Sequence, residues 1–148
     1  MKLSTKTRYG VRAVFDIAYH NAGRPTQARD IARRQEVPLR YLEQIFQELR
    51  RANLVDAKRG PKGGYSLARA PERITLGDVL RAVQGPIALL ADEGETRNGH
   101  KAVTGSIWKE LSDKIATCFD AITIRDLCVR GEASGLARGD STPNMYFI

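Results

Sequence analysis

A mainly α-helical fold with one short β-hairpin is predicted for this chain of 148 residues, on three observations. Two helical segments joined by a tight connection occupy residues 26–52. Two short apolar runs then flank the tip Lys58-Arg59-Gly60-Pro61-Lys62-Gly63-Gly64, which is typical of a hairpin turn. From Val103 to Ile122, apolar residues recur every three or four positions, which indicates a long amphipathic helix. The combination predicts a winged helix-turn-helix domain followed by a long helix.

Three helices are expected before the hairpin. They span Ser4–Tyr19, Gln27–Gln35 and Leu39–Ala52. Ser4 or Thr5 is expected to cap the first helix and Thr26 the second, because hydroxyl side chains accept from the free N–H groups of a first helical turn. The third helix carries an apolar stripe at helical spacing, which predicts its buried face: Leu42, Ile45, Phe46 and Leu49.

Positive charge is concentrated in the first part of the chain. Residues 1–85 contain 17 Lys and Arg against 8 Asp and Glu, whereas residues 86–148 contain 7 against 9, so the two parts carry +9 and −2 of the total +7. A flexible hairpin tip with three cations suits a groove lined by phosphates. We therefore expect the first part of the chain to contact double-stranded DNA.

The start of the third helix is the expected reading surface, because a recognition helix meets base edges with its first turns. Gln44 can pair with adenine and Glu43 can accept a hydrogen bond from cytosine. At the hairpin tip, Arg59 is expected to enter a minor groove. Ordinary solvated side chains are the alternative for each position. The full set of candidate DNA-binding residues is Arg40, Tyr41, Glu43, Gln44, Arg59, Lys62, Gly63, Lys6 and Arg8.

The chain divides into four predicted regions. Residues 1–84 form the winged helix-turn-helix domain, which ends with a short helix over residues 74–83 capped by Thr75. Residues 85–102 form a polar loop of the kind that receives an effector. Residues 103–130 contain the long helix and a capped terminal turn from Thr123 to Leu127. Residues 131–148 are rich in Gly, Ser and Thr and are expected to be a disordered tail.

The long helix is a predicted dimerisation element, because its apolar stripe exceeds what one small domain needs to cover. Its expected interface residues are Ile107, Trp108, Leu111, Ile115, Cys118, Phe119 and Ile122. Cys118 is interpreted as a packing residue within that stripe. Cys128 is interpreted as an exposed thiol, and both cysteines are candidates for a redox role.

Composition excludes several classes of protein. Two cysteines are too few for a disulfide framework and indicate a reducing compartment, so we expect a cytoplasmic protein. No apolar run approaches the roughly 20 residues that span a bilayer, and no secretion signal follows Met1. His100 with Asp92, Glu93 and Glu95 can be imagined as a metal site, but an acidic loop is the better interpretation. No catalytic motif is present, so an enzyme is not expected.

Several motifs resemble the Rrf2 family of bacterial transcription regulators. They are Leu3-Ser4-Thr5-Lys6 with Arg8-Tyr9, Tyr41-Leu42-Glu43-Gln44, Arg59-Gly60-Pro61-Lys62-Gly63-Gly64-Tyr65, and Ile74-Thr75-Leu76-Gly77-Asp78-Val79. The resemblance extends from Met1 to about Leu127. It implies a homodimer that crosses over through the long helix and places one winged domain on each half of a pseudo-palindromic operator.

The chain departs from this family at one site. Cluster-binding members carry three cysteines in the loop before the dimer helix, whereas residues 86–106 here contain none. Ala102 stands where the last of these cysteines is expected, and Gly105 replaces a histidine that some members use as a ligand. Arg8 stands where some members place an acidic ligand. Iron–sulfur clusters are held by thiolates, with occasional His or carboxylate substitutes, and this loop holds no sulfur, so no cluster of the family type and no other cofactor is expected.

Three modes of action remain open. The first is a homodimeric, sequence-specific repressor that binds DNA without a cluster. The second is an interaction module whose DNA binding is controlled by a partner protein. The third is a sensor that responds to a small molecule in the dimer crevice or to oxidation of Cys118 or Cys128.

Overall fold

The computed structural model describes residues 2–90 and 98–139. Six α-helices and a two-stranded antiparallel sheet follow one another along this part of the chain. They are α1 (Thr5–Tyr19), α2 (Ala28–Gln35), α3 (Leu39–Arg51), β1 (Val55–Lys58), β2 (Gly64–Leu67), α4 (Leu76–Gln84), α5 (Gly99–Asp120) and α6 (Ile124–Ala133). This confirms the predicted fold class. None of the helices in the described residues is long and apolar enough to cross a membrane.

The helix starts agree with the sequence at two positions and differ at a third. The Ser4 side chain caps α1 by accepting from the backbone N–H of Thr7 at 3.1 Å, as expected. Thr75 caps α4 through a reciprocal pair of bonds with Asp78. The assignment of Thr26 as the cap of α2 was wrong, because the N-cap is Gln27 and its side chain makes no capping bond. Thr26 instead pairs with Tyr65 of β2 through backbone hydrogen bonds.

A single hydrophobic core lies beneath α3. The predicted stripe on that helix is buried: Leu42, Ile45, Phe46 and Leu49 are each 0% exposed. Val14 of α1 and Ile74 join the same core, and so do Ile124 and Cys128 of α6. The last helix therefore packs with the winged domain. We call residues 2–84 together with α6 the winged unit.

The C-terminal part of the chain is more ordered than the sequence predicts. The expected terminal turn is a ten-residue helix, α6, and Cys128 within it is buried rather than exposed. Residues 134–139 then pack back onto α1. The Tyr19 hydroxyl donates to the Leu136 carbonyl at 2.6 Å, and the Arg138 guanidinium lies 4.4 Å from the centre of the Tyr19 ring. A disordered tail from residue 131 is thus not observed for residues 131–139, while residues 140–148 lie outside the described part.

The first part of helix α5, residues 99–111, is exposed and makes little contact with the rest of the described chain. The helix begins at Gly99, capped by the Asn98 side chain, and ends at Asp120, so its start lies four residues before the predicted one. Among its residues only Ser112 is buried. Val103 is 68% exposed and Ile107 is 49% exposed, which are high values for apolar side chains. One face of α5 is therefore left without packing partners in the described part of a single chain.

Candidate DNA-binding surface

Helix α3 presents its polar residues outward because its apolar stripe is drawn into the core. Arg40, Glu43 and Gln44 are exposed, whereas Tyr41 is half-buried. The ring of Tyr41 meets the ring of Tyr9 on α1 edge to face, with centroids 5.7 Å apart. Tyr41 therefore anchors the first turns of α3 to α1, while the other three side chains are free to reach a ligand.

The wing, residues 55–67, is a tight hairpin with a basic tip. Lys58 pairs with Gly64, and the N–H of Gly63 donates to the Gly60 carbonyl at 2.9 Å to close the turn. A side chain at Gly63 does not fit, because a Cβ there would lie 2.1 Å from the Lys58 carbonyl oxygen. Arg59 precedes this turn and Lys62 lies within it, and both are exposed. The structure thus brings the two predicted cations together at the tip.

Backbone contacts hold the wing against the start of α2. Thr26 and Tyr65 exchange two backbone hydrogen bonds of 2.9 and 2.7 Å, which extend the sheet by one bridge. Gly64 permits this approach, since its φ is +138° and a Cβ would lie 2.4 Å from the Thr26 carbonyl oxygen. The Gln27 amide also donates to the Pro61 carbonyl at 3.2 Å. The wing is therefore tied to the helix-turn-helix at its base and near its tip.

The cations of α1 have different surroundings. The Lys6 ammonium pairs with the Glu48 carboxylate of α3, so this charge is already partly compensated within the chain. Arg8 is exposed and donates to the Thr5 hydroxyl at 3.3 Å. Arg12 lies over the ring of Tyr9 at 5.5 Å and donates to the Gln35 carbonyl. Of these three, Arg8 is best placed to reach a phosphate, whereas Lys6 joins α1 to α3.

A buried ion pair that the sequence did not reveal holds α2 in place. Asp16 of α1 is fully buried and accepts two hydrogen bonds from the Arg34 guanidinium, at 2.7 and 3.0 Å, and a third from the Gln35 amide at 2.9 Å. The bonds to Asp16 raise the pKa of Arg34. The only sequence signal was a charged residue, Asp16, within the apolar face of an amphipathic helix.

The two cysteines lie in contrasting environments. Cys118 is exposed on α5, whereas Cys128 is buried in the core and its burial raises the pKa of the thiol. Within residues 2–90 and 98–139, no group of three or more His, Cys, Asp or Glu side chains is placed to hold a metal ion. The acidic residues Asp92, Glu93 and Glu95 lie outside the described part.

An outward-facing helix beside a basic wing, on a three-helix support, defines a winged helix-turn-helix protein, a class that docks a helix in the major groove of DNA. A family model described as Rrf2, iron-dependent transcriptional regulator, matches residues 3–130. The chain belongs to the Rrf2 family. It is a DNA-binding transcription regulator and not an enzyme, as its relatives show.

Relatives of known sequence and structure resemble the chain over most of its length. The HTH-type transcriptional regulator IscR of Aliivibrio salmonicida is 39% identical over 134 residues, which cover 89% of this chain and 80% of the relative. CymR of B. subtilis, described as the global cysteine regulator, matches with a TM-score of 0.75 and 33% identity over 88% of this chain and 98% of that chain. The T. potens IscR structure matches with a TM-score of 0.74 and 37% identity over 94% of both chains.

Proposed function

We propose that the protein is a homodimeric repressor that acts in the bacterial cytoplasm and binds a pseudo-palindromic operator. In each protomer, α3 enters the major groove and the wing enters the adjacent minor groove. The observation that carries this proposal is the arrangement of the two elements. The outward face of α3 and the basic tip of the wing are held on one support by Tyr65, which pairs with Thr26 and stacks on Phe46.

Each exposed residue of this surface has a role that follows from its chemistry. Gln44 reads adenine and Glu43 accepts from the cytosine amino group, while its charge disfavours sequences that lack a donor. Arg40 contacts guanine or a phosphate. Arg59 enters the minor groove, and Lys62 contacts a flanking phosphate. Lys6 contributes by supporting α3 through Glu48.

The homodimer is proposed because α5 leaves an apolar face uncovered. Ile107, Trp108 and Leu111 are 49%, 43% and 39% exposed, and Val103 precedes them on the same helix. Burial of such side chains against a second α5 removes apolar surface from water. Ile115 and Phe119 are half-buried and continue the face, together with the exposed Cys118, whereas Ile122 lies beyond the end of α5 in the connection to α6. A two-fold pair of winged units requires two half-sites of opposite orientation, since symmetry of the protein is mirrored in the operator.

An iron–sulfur cluster of the family type does not fit this chain. Residues 86–106 contain no cysteine, and the corresponding positions on α5, Ala102 and Gly105, offer no ligand atom. The cysteines that are present cannot supply the site together, because Cys118 is exposed on α5 and Cys128 is buried in the core. We propose a regulator without this cluster, and anaerobically purified protein is expected to show no visible absorption band.

The test of DNA recognition is selection of fragments from a genomic pool, followed by titration of the selected operator with protein variants. Arg59→Ala is expected to weaken binding by roughly 1–3 kcal/mol. It is also expected to lower the salt dependence by about one counterion. Arg125→Ala, which removes an exposed cation from α6, is the matched control and is expected to bind as the unchanged protein does. No enrichment of any fragment would contradict the proposal.

Control by an effector is a second proposal, supported by the position of Cys118 on the face of α5 that joins the proposed protomers, where the thiol is exposed in the single chain. Oxidation of this thiol would alter the face on which the two protomers meet. A partner protein or a small molecule bound between the protomers would act on the same face. DNA binding by the oxidised protein and by Cys118→Ser distinguishes these cases, because only the thiol mechanism is lost in that variant.

A further inference from the structure

A charged contact attaches the C-terminal end of α5 to the winged unit. This contact is not part of the proposed DNA-binding surface. The Arg81 guanidinium of α4 donates two hydrogen bonds to the Asp120 carboxylate, at 2.8 and 2.7 Å. The Thr75 hydroxyl lies 3.5 Å from the same carboxylate. These bonds lower the pKa of Asp120, so the carboxylate stays charged well into the acidic range.

Gly77 indicates that the position of Asp120 is built into the fold. A Cβ on Gly77 would lie 1.8 Å from Oδ1 of Asp120, so the carboxylate rests directly against the first turn of α4. A carboxylate at a helix N-terminus is favoured by the helix dipole. The contact therefore combines an ion pair with a helix terminus, and a side chain at Gly77 would have to displace the carboxylate.

Backbone bonds complete the joint immediately after α5. The N–H of Leu76 donates to the Ile122 carbonyl at 2.9 Å, and the N–H of Ile124 donates to the Ile74 carbonyl at 2.8 Å. These bonds fix the chain that leaves α5, whereas the Asp120 contact fixes the helix itself. A second attachment, from the N–H of Leu89 to the Ser112 hydroxyl at 2.9 Å, holds the middle of α5.

We propose that Asp120 and Arg81 are a positioning pair that fixes the angle between α5 and the winged unit, and through it the spacing between the two DNA half-sites. This inference rests on the homodimer proposed above. In such a dimer the two α5 helices form the interface. The contacts between α5 and the winged unit therefore set the position of each winged unit relative to the two-fold axis.

A small rotation between α5 and the winged unit produces a large displacement at the DNA-contacting face, so a surface ion pair that limits this rotation affects DNA binding. The DNA-contacting face lies on the order of 20 Å from the joint, given the size of a domain of this length. A rotation of about 10° at the joint moves that face by roughly 3.5 Å, which is close to the rise of one base pair. Weakening the contacts between α5 and the winged unit is therefore expected to reduce the preference for one half-site spacing. Recognition of each half-site is expected to stay intact.

The test uses the full chain and synthetic duplexes that carry two selected half-sites at spacings changed one base pair at a time. The unchanged protein is expected to prefer one spacing. Asp120→Asn is expected to reduce the ratio of affinities between the preferred and the adjacent spacing by roughly twofold to fivefold, which is the range for an exposed ion pair. Binding to a single half-site is expected to be unchanged.

Three further variants separate positioning from a general loss of structure. Gly77→Ala displaces the carboxylate without removing a charge and is expected to act as Asp120→Asn does. Arg81→Met removes the other partner of the ion pair and is expected to act as Asp120→Asn does. Asp113→Asn removes an exposed partner of Lys109 within α5 and is the matched control.

The possible outcomes distinguish this inference from the proposed function. A spacing profile that is identical in Asp120→Asn, Gly77→Ala and the unchanged protein would overturn the positioning role while the dimeric regulator stands. An unchanged protein that sediments as single subunits would overturn both. If Asp120→Asn bound a single half-site much more weakly than the unchanged protein, the substitution would have damaged the fold of the winged unit. That result would also reject the inference.

Discussion

The ring of Phe46 lies flat against the ring of Tyr65, with 3.9 Å between the ring centroids and 9° between their planes. Phe46 belongs to the buried face of α3, and Tyr65 belongs to β2 of the wing. The contact therefore joins the two elements that we propose to enter adjacent grooves. Because Tyr65 also pairs with Thr26 through its backbone, one residue connects the wing to α3 and to the start of α2.

Phe46→Leu removes this stacking and keeps a smaller apolar side chain in the core. We expect a loss of about 1.5 kcal/mol in the free energy of unfolding, because the aromatic pair and part of its buried area are lost. Urea denaturation measures the loss. Tyr65→Phe retains the stacked ring and is expected to stay within about 0.5 kcal/mol of the unchanged protein. Equal stability of the two variants would show that the stack contributes nothing.

Gly64→Ala is expected to damage the wing more than Gly60→Ala. Both glycines have positive φ, so each alanine costs backbone strain of about 1–3 kcal/mol. At Gly64 the new Cβ would also lie 2.4 Å from the Thr26 carbonyl oxygen, whereas at Gly60 nothing lies within 4 Å. Operator affinity and urea stability of both variants check this order. A Gly64→Ala protein that binds and unfolds like Gly60→Ala would argue against the bridge to Thr26.

Asp16→Ala is expected to destabilise the fold by about 3 kcal/mol, since it leaves the Arg34 guanidinium without the buried carboxylate that it pairs with. Combining Asp16→Leu with Arg34→Met is expected to cost less than the sum of the single changes, because neither charge is then left alone. Chemical denaturation of the unchanged protein, Asp16→Leu, Arg34→Met and the double variant measures this coupling. Glu110→Ala, which breaks the exposed pair with Lys114 on α5, is the control and is expected to cost under about 0.5 kcal/mol.

His20 is expected to make the stability depend on pH. It is buried, and its Nδ1 accepts from the N–H of Gly139 at 2.6 Å, which requires an unprotonated nitrogen. Burial lowers its pKa below the ordinary 6.5, with Asp16 opposing this effect and Arg34 and Arg138 adding to it. The unfolded chain therefore binds the proton more readily, and this contribution to stability is present above pH 6.5 and declines as the pH falls below it.

His20→Asn keeps an acceptor at a similar position and removes the titration. Its unfolding free energy is expected to change less between pH 7.5 and pH 5.5 than that of the unchanged protein. Parallel slopes for the two proteins across this interval would refute the role of His20. A lower protection factor of the Gly139 amide at pH 5.5 than at pH 7.5, after the intrinsic pH dependence of amide exchange is removed, is the expected local sign.

Cys128 is expected to react slowly with a thiol reagent in the folded protein, because it is buried and its pKa is raised by that burial. In a Cys118→Ser background the reaction of Cys128 is expected to accelerate on the order of tenfold or more in urea. Comparable rates in native and denaturing buffer would show that α6 opens readily from the core.

Local chemistry explains why much of the fold could be predicted. The apolar spacing on α3 predicted its buried stripe, and the glycines and cations after Val55 predicted the wing. Thr75 was correctly predicted as a cap, and Ser4 is the one of the two candidates, Ser4 or Thr5, that caps α1. Each of these features depends on residues close together in the chain. The individual DNA-contacting roles of Gln44, Glu43 and Arg59 stay predictions, since they depend on a partner molecule.

Errors occurred where contacts join distant parts of the chain. Thr26 has the chemistry of an N-cap, yet its pairing with Tyr65, 39 residues later, determines its place. The region after residue 131 has the composition of a flexible tail, yet Leu136 and Arg138 pack on Tyr19 of α1. Cys128 lies near the end of the chain, but α6 carries it into the core. Composition and periodicity do not predict such contacts between residues that are distant in the chain.

By itself, the sequence determined the helices α1 to α5, the wing, the charge of its tip and the absence of cysteine from residues 86–106, because each is a local property of residue type and order. Only the tertiary structure decided that α6 completes the winged unit, that Lys6 is paired with Glu48, and that Asp120 rests on Gly77 at the base of α5. These contacts join residues 42 or more positions apart. Many charged and apolar residues of the chain could form such contacts, and only the packing of the core selects the pairs that meet.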